Sequence, residues 1–283
     1  MAIIYNTLND IKQYICNSER ADESYKQEAL NVLKLFECAQ IAENTSMQAV
    51  VGFNDSNVPL FWDMTEGNLL ATRWTGFAMN YMGCTTVLVS LLLRFTKEEF
   101  QYYLFADDMA PNYLRENEHC AGSVNELFYW EEDYFRSLEN LSAELNYRNT
   151  LSEDELKKKP FLLVIFGNVC RRIYNKDIEN KDIERFRAMF SLLLRKGKRL
   201  RAACMVATTH FEDEFLYHDY KETFSCFIVG RTDQKTAKQL LKSDIPGWLF
   251  DDRYGYRKYF IFRNEGKQVQ MQTYHLPLGI GLR

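Results

Sequence analysis

Between Asn68 and Phe95 the chain reads NLLATRWTGFAMNYMGCTTVLVSLLLRF: a short apolar run, a turn of small residues, then an apolar helix. That order is the setting of a phosphate-binding loop, whose glycines let backbone N–H groups wrap an anion while a lysine reaches its outer oxygens. The residues for that chemistry are missing. Counted from the end of the strand, Arg73-Trp74-Thr75-Gly76-Phe77-Ala78-Met79-Asn80 occupies the place of G-T-T-G-S-G-K-S, and only Thr75 and Gly76 are kept. Met79 stands for the lysine and Asn80 for the hydroxyl, or Asn80 and Tyr81 if one residue is inserted. No lysine occurs between Lys34 and Lys97, so no shift of register restores the cation.

Such a turn faces a ligand only if buried strands and helices hold it. Phe161-Leu-Leu-Val-Ile-Phe166, entered after Pro160, is the clearest buried strand. Asn68–Thr72, Gln101–Ala106, Ala203–Ala207 and Phe224–Val229 read the same way, with closing strands near Tyr259–Phe262 and Val269–Thr273. Helices are predicted over Gly83–Phe95, over Ile183–Leu194 and over Lys235–Leu241. A long one carries Val124, Leu127, Phe128, Phe135, Leu138, Leu141 and Leu145 at helical spacing. Ahead of these, residues 1–45 show two helical stripes (Leu8, Ile11, Tyr14, Ile15, then Ala29, Val32, Leu33, Leu35, Phe36). Short strands at Ala49–Phe53 and Pro59–Trp62 follow around Asn54-Asp55-Ser56-Asn57. Strands alternating with helices predict an α/β fold: a mostly parallel sheet covered on both faces, with ligands at the carboxyl ends of its strands. The expected division is a helical extension over 1–46 and one domain over 47–283.

Charge and cysteines exclude several functions. With 35 basic and 39 acidic residues the net charge is −4, so no global field draws DNA. The cluster Arg195-Lys196-Gly197-Lys198-Arg199-Leu200-Arg201 is the exception; it suits the carboxyl end of a helix, and its alternative is a nucleic-acid track. Seven cysteines without a C-x-x-C pair read as reduced thiols in a reducing compartment. His210 and His218 lack nearby partners, and Asp107-Asp108 reads as a polar turn, so no metal site is expected. Val87–Leu93 is too short to span a bilayer, and Met1–Cys16 carries Asp10 and Lys12 within its apolar stretch. These features predict a cytoplasmic, soluble chain with no direct membrane insertion.

From Val50 to Thr273 the chain resembles the FtsK/SpoIIIE-type RecA-like ATPases, and within them the last module of the type VII secretion ATPases EssC and EccC. Met47-Gln-Ala-Val-Val-Gly-Phe-Asn-Asp55 is similar to the family's opening strand, and Phe95-Thr96-Lys97-Glu98-Glu99 with Tyr102–Asp107 to its second. Pro160–Asn168 sits at the metal-binding strand. Lys198–His210 resembles the sensor strand, and Asp244-Ile245-Pro246-Gly247 a conserved turn.

What the resemblance implies is a RecA-like domain with a degenerate nucleotide site. Where the family carries a magnesium-binding acid and a glutamate that polarises water, this chain has Gly167 and Asn168. At the sensor it has Thr209 and, in place of glutamine, His210. Arg231 is a candidate relic arginine finger or a plain strand-end arginine. The expectation is a non-catalytic module with no cofactor and weak or absent ATP binding. Its implied partners are helical secreted substrates or their C-terminal signals and sister ATPase modules, with no DNA. The alternative is an active ATP-dependent DNA or protein translocase with an unorthodox site.

Overall fold

A computed structural model describes residues 34–35, 37–38, 46–72, 83–106, 112–125, 131–167, 180–208, 220–241, 245–250 and 260–273. In chain order the elements are β1 (Gln48–Phe53), β2 (Pro59–Asp63), β3 (Asn68–Thr72), α1 (Cys84–Leu92), β4 (Phe100–Ala106), α2 (Asn112–Arg115), β5 (Cys120–Asn125), α3 (Glu131–Thr150), α4 (Glu153–Lys157), β6 (Phe161–Gly167), α5 (Asn180–Lys196), β7 (Ala202–Thr208), β8 (Phe224–Val229), α6 (Gln234–Leu240), β9 (Phe260–Asn264) and β10 (Lys267–Met271).

Eight strands form one sheet in the order β10-β9-β8-β3-β7-β6-β4-β5. From β8 to β5 all pairings are parallel, while β9 and β10 fold back antiparallel across the two-residue turn Glu265-Gly266. Both turn residues have positive φ, 48° and 81°, as a type I′ hairpin requires. The parallel strands are apolar on both faces because both are covered. Leu69, Ala71, Leu163, Ile165, Ala203 and Met205 face α1 and the β1–β2 hairpin. Leu70, Val164, Phe166, Cys204 and Val206 face α3, α5 and α6. The fold expectation is met: a mostly parallel sheet with helices on both sides.

All nine residues of α1 are buried, since the sheet lies beneath it and the hairpin above. Ser90 seals that contact: its hydroxyl accepts the Val50 N–H at 3.0 Å, beside a bulge in β1, and donates to the Val87 carbonyl at 2.8 Å. The hairpin is also tied to the other end of the chain, where Phe53 and Gln272 exchange backbone hydrogen bonds of 2.9 and 2.8 Å.

One expectation fails. Val124 was placed on the long helix, but it lies in β5 opposite Phe105, and α3 begins only at Glu131. Val124, Leu127 and Phe128 happen to match helical spacing. Pairing with the outer edge of β4 decides otherwise, because it satisfies backbone groups that a helix start there would leave to water.

The thiols follow the burial. Desolvation pushes Cys204 well above its ordinary value and Cys226 up to about 12. Alkylation of native protein in mildly alkaline buffer is expected to spare both until denaturant is added, with peptide mass spectrometry as the readout. Rapid native labelling of either would show that the sheet opens locally.

Candidate functional site

The carboxyl ends of the central strands lie level. Thr72 of β3 pairs with Thr208 of β7 and Val229 of β8, Gly167 of β6 with Ala207, and Phe166 with both Val206 and Phe105. From this edge β3 runs on toward α1 on one face and β6 toward α5 on the other. The chain thereby opens a crevice at the central strand, the usual place for a ligand in such sheets.

The described part of that edge is apolar. Phe105 and Phe166 stack with centroids 4.9 Å apart, Phe166 meets Phe186 and Phe190 edge-on, and Phe190 meets Tyr220 at 5.5 Å. Gly167, where a magnesium-binding acid would stand, is buried and carries no side chain. Arg231 is half-buried two residues beyond β8, whose Gly230 N–H donates to the Thr72 carbonyl at 3.0 Å. It therefore stands at the mouth of the β3–α1 connection. Arg73, Gly76, Ala78, Met79, Asn80, Asn168, Thr209 and His210 lie outside the described residues.

Three features at this edge escaped the sequence reading. Helix α1 starts at Cys84, with Gly83 as N-cap, no side-chain cap and no acidic residue in its first turn. The hydroxyls of Thr72, ending β3, and Thr85, in the first turn of α1, are fully buried and have no hydrogen-bond partner. The phosphate-loop triplet is therefore to be sought at Gly83-Cys84-Thr85, a glycine followed by a small residue and a hydroxyl. Among the described residues this edge supplies neither lysine nor carboxylate, so it does not fit a magnesium nucleotide; the buried hydroxyl of Thr85 is the one matching group. No three His, Cys, Asp or Glu residues gather as a metal would need, again among the described residues.

The basic cluster has structural uses. The Arg195 guanidinium lies 5.4 Å from the Tyr220 ring centroid, and Lys198 pairs with Glu66 at 3.2 Å. Arg201 adopts φ 52° and, like Leu200, offers its carbonyl to buried Arg148.

A parallel sheet covered on both faces, whose central strand passes at its carboxyl end to a buried helix, is the fold of the RecA-like ATPases. Among solved structures it superposes on TcpA, the pCW3 conjugation coupling protein with ATPγS, at TM-score 0.62 and 14% identity, over 84% of this chain and 68% of that one. Against *Thermomonospora curvata* EccC (ATPases 2 and 3) with a signal sequence peptide the values are 0.61 and 12%, over 84% and 43%. Against EssC (ATPases 2 and 3) from *Geobacillus thermodenitrificans* they are 0.57 and 16%, over 81% and 44%. The fold is thus that of FtsK/SpoIIIE-type ATPase domains, and the chain spans less than half the length of those EccC and EssC chains. No family model and no curated protein matches it. Among the described residues no helix is long and apolar enough to cross a membrane.

Proposed function

We propose that this chain is a non-catalytic module of a type VII secretion coupling ATPase, acting in substrate recruitment and in docking against sister modules. The observation that carries the reading is the end of β6: seven buried residues closing on Phe166-Gly167, without an acid to hold magnesium. The next residue is Asn168, whose amide can neither ionise nor serve as a general base. Hydrolysis relies on a lysine, a metal and a base acting together, so losing all three removes the electrostatic stabilisation on which it depends. Support for the partners comes from the EccC relative, solved with a signal sequence peptide and with two ATPase modules in one chain.

Phosphate release by the purified chain with ATP and Mg²⁺ is expected to match the buffer blank, and calorimetric titration to show little heat of binding. Turnover above the blank that disappears in Thr85→Ala would overturn the reading and favour the translocase.

A further inference from the structure

The phosphate-loop motif can be laid on the β3–α1 connection from either end, and the two ends disagree. From the strand, the lysine falls at Met79. From the helix, G-x-x-x-x-G-K-[ST] runs Ala78 to Thr85, and Gly83, Cys84 and Thr85 take the places of glycine, lysine and hydroxyl.

The helix is the end that acts on an anion. Its first N–H groups have no partner within the helix and carry the positive end of the dipole, so a lysine and a hydroxyl add to them only from its first turn. Met79 and Asn80 lie upstream of Gly83 and cannot be in that turn. The first turn has just the equipment the motif would leave behind. Gly83 supplies no competing side-chain cap, and no acid repels an anion. Thr85 is fully buried with an unpartnered hydroxyl, whereas Ser90 in the same helix both donates and accepts. Helical side chains lean toward the N-terminus, which directs Thr85 back toward Gly83. A buried hydroxyl without a partner is costly, so its presence calls for a cause.

We propose that Cys84 stands where a phosphate-loop lysine would, so that α1 keeps the glycine and hydroxyl of that motif and has lost its cation at this position. The assignment rests on reading the chain as a degenerate ATPase module. A thiol fits the fully buried site with no charge to desolvate; a lysine there needs an anion to accompany it.

Thermal melts with inorganic pyrophosphate test this. Cys84→Lys is expected to melt below wild type without the anion and to recover as pyrophosphate rises. Its pyrophosphate affinity should exceed that of Met79→Lys, Asn80→Lys or the neutral control Cys84→Met by at least ~10-fold. In the wild-type background Thr85→Val should raise the melting temperature, since it removes an unpartnered buried hydroxyl at nearly constant volume; this arm stands even if Cys84→Lys does not fold. Pyrophosphate that leaves Cys84→Lys unchanged, or that stabilises Met79→Lys or Asn80→Lys instead, overturns the assignment, as does a lower melting temperature for Thr85→Val. Nucleotide binding by wild type would instead sink the non-catalytic reading and leave the position of the lost lysine to the variants.

Discussion

Asn68→Leu is expected to lower the unfolding free energy by about 3–5 kcal/mol, read as a lower urea midpoint at unchanged slope. Asn68 is 4% exposed and makes three hydrogen bonds through one amide. Its Nδ2 donates to the carbonyls of Leu194 at 3.0 Å and Thr223 at 2.9 Å, and its Oδ1 accepts the Cys204 N–H at 2.9 Å. Backbone pairing of β3 with β7 begins only at Leu69 and Met205, so the amide extends that ladder by one rung. It also joins α5 to the approach to β8. Leucine is close in size but leaves buried backbone groups without partners, and such groups cost more than the bonds themselves contribute. Asn68→Asp should be worse, because a carboxylate would face two carbonyls. A loss below about 1 kcal/mol for leucine would mean that water replaces the amide.

Arg148→Met should cost about 2–4 kcal/mol, the range for stranding the partners of a buried charge when one of them reaches solvent. Arg148 is 1% exposed; its Nε donates to Glu144 at 2.7 Å, while Nη1 donates to the carbonyls of Leu200 and Arg201 at 3.2 and 3.1 Å. Those carbonyls belong to the turn before β7, where Arg201 is held at φ 52°, a region unfavourable for a side chain of that size. The Leu162 N–H donates to the same Arg201 carbonyl at 2.9 Å. Faster amide exchange at Leu162 in the variant would locate the damage in this turn. Arg148→Lys should recover only part of the loss, since an ammonium lacks the planar fork that serves Glu144 and the carbonyls together. Unchanged exchange at Leu162 would show that the turn holds its shape without the guanidinium.

The parallel sheet is legible because burial on both faces writes each strand as an apolar run, and FLLVIF at Phe161–Phe166 admits little else. β5 is not legible in that way. It is an edge strand of small residues, Cys120-Ala-Gly-Ser-Val-Asn, whose state is set by a neighbour rather than by its own pattern. The site is legible in kind but not in position. No lysine is available to the loop and no acid closes β6, and both facts are plain from composition alone. The start of α1 is hidden, because Gly83 gives no N-cap signal and a helix buried on all sides shows no 3.6-residue stripe. Counting from the visible strand end therefore carries the motif to Met79, when the helix places it at Cys84.

The central position of β3 bears on how the polypeptide is made. Its only strand neighbours are β7 and β8, so Leu69 waits for Met205 and Cys226 before either edge is paired. During synthesis the ribosome must deliver all of β4, β5 and β6 while LLAT and the wholly apolar α1 have no sheet to lie on. Contacts so distant in sequence close slowly, and unpaired apolar strands invite association with other chains. A nascent chain that stalls before Val229 would hold the hairpin and α1 ready over a gap, with the middle strand of the future sheet still open on at least one side.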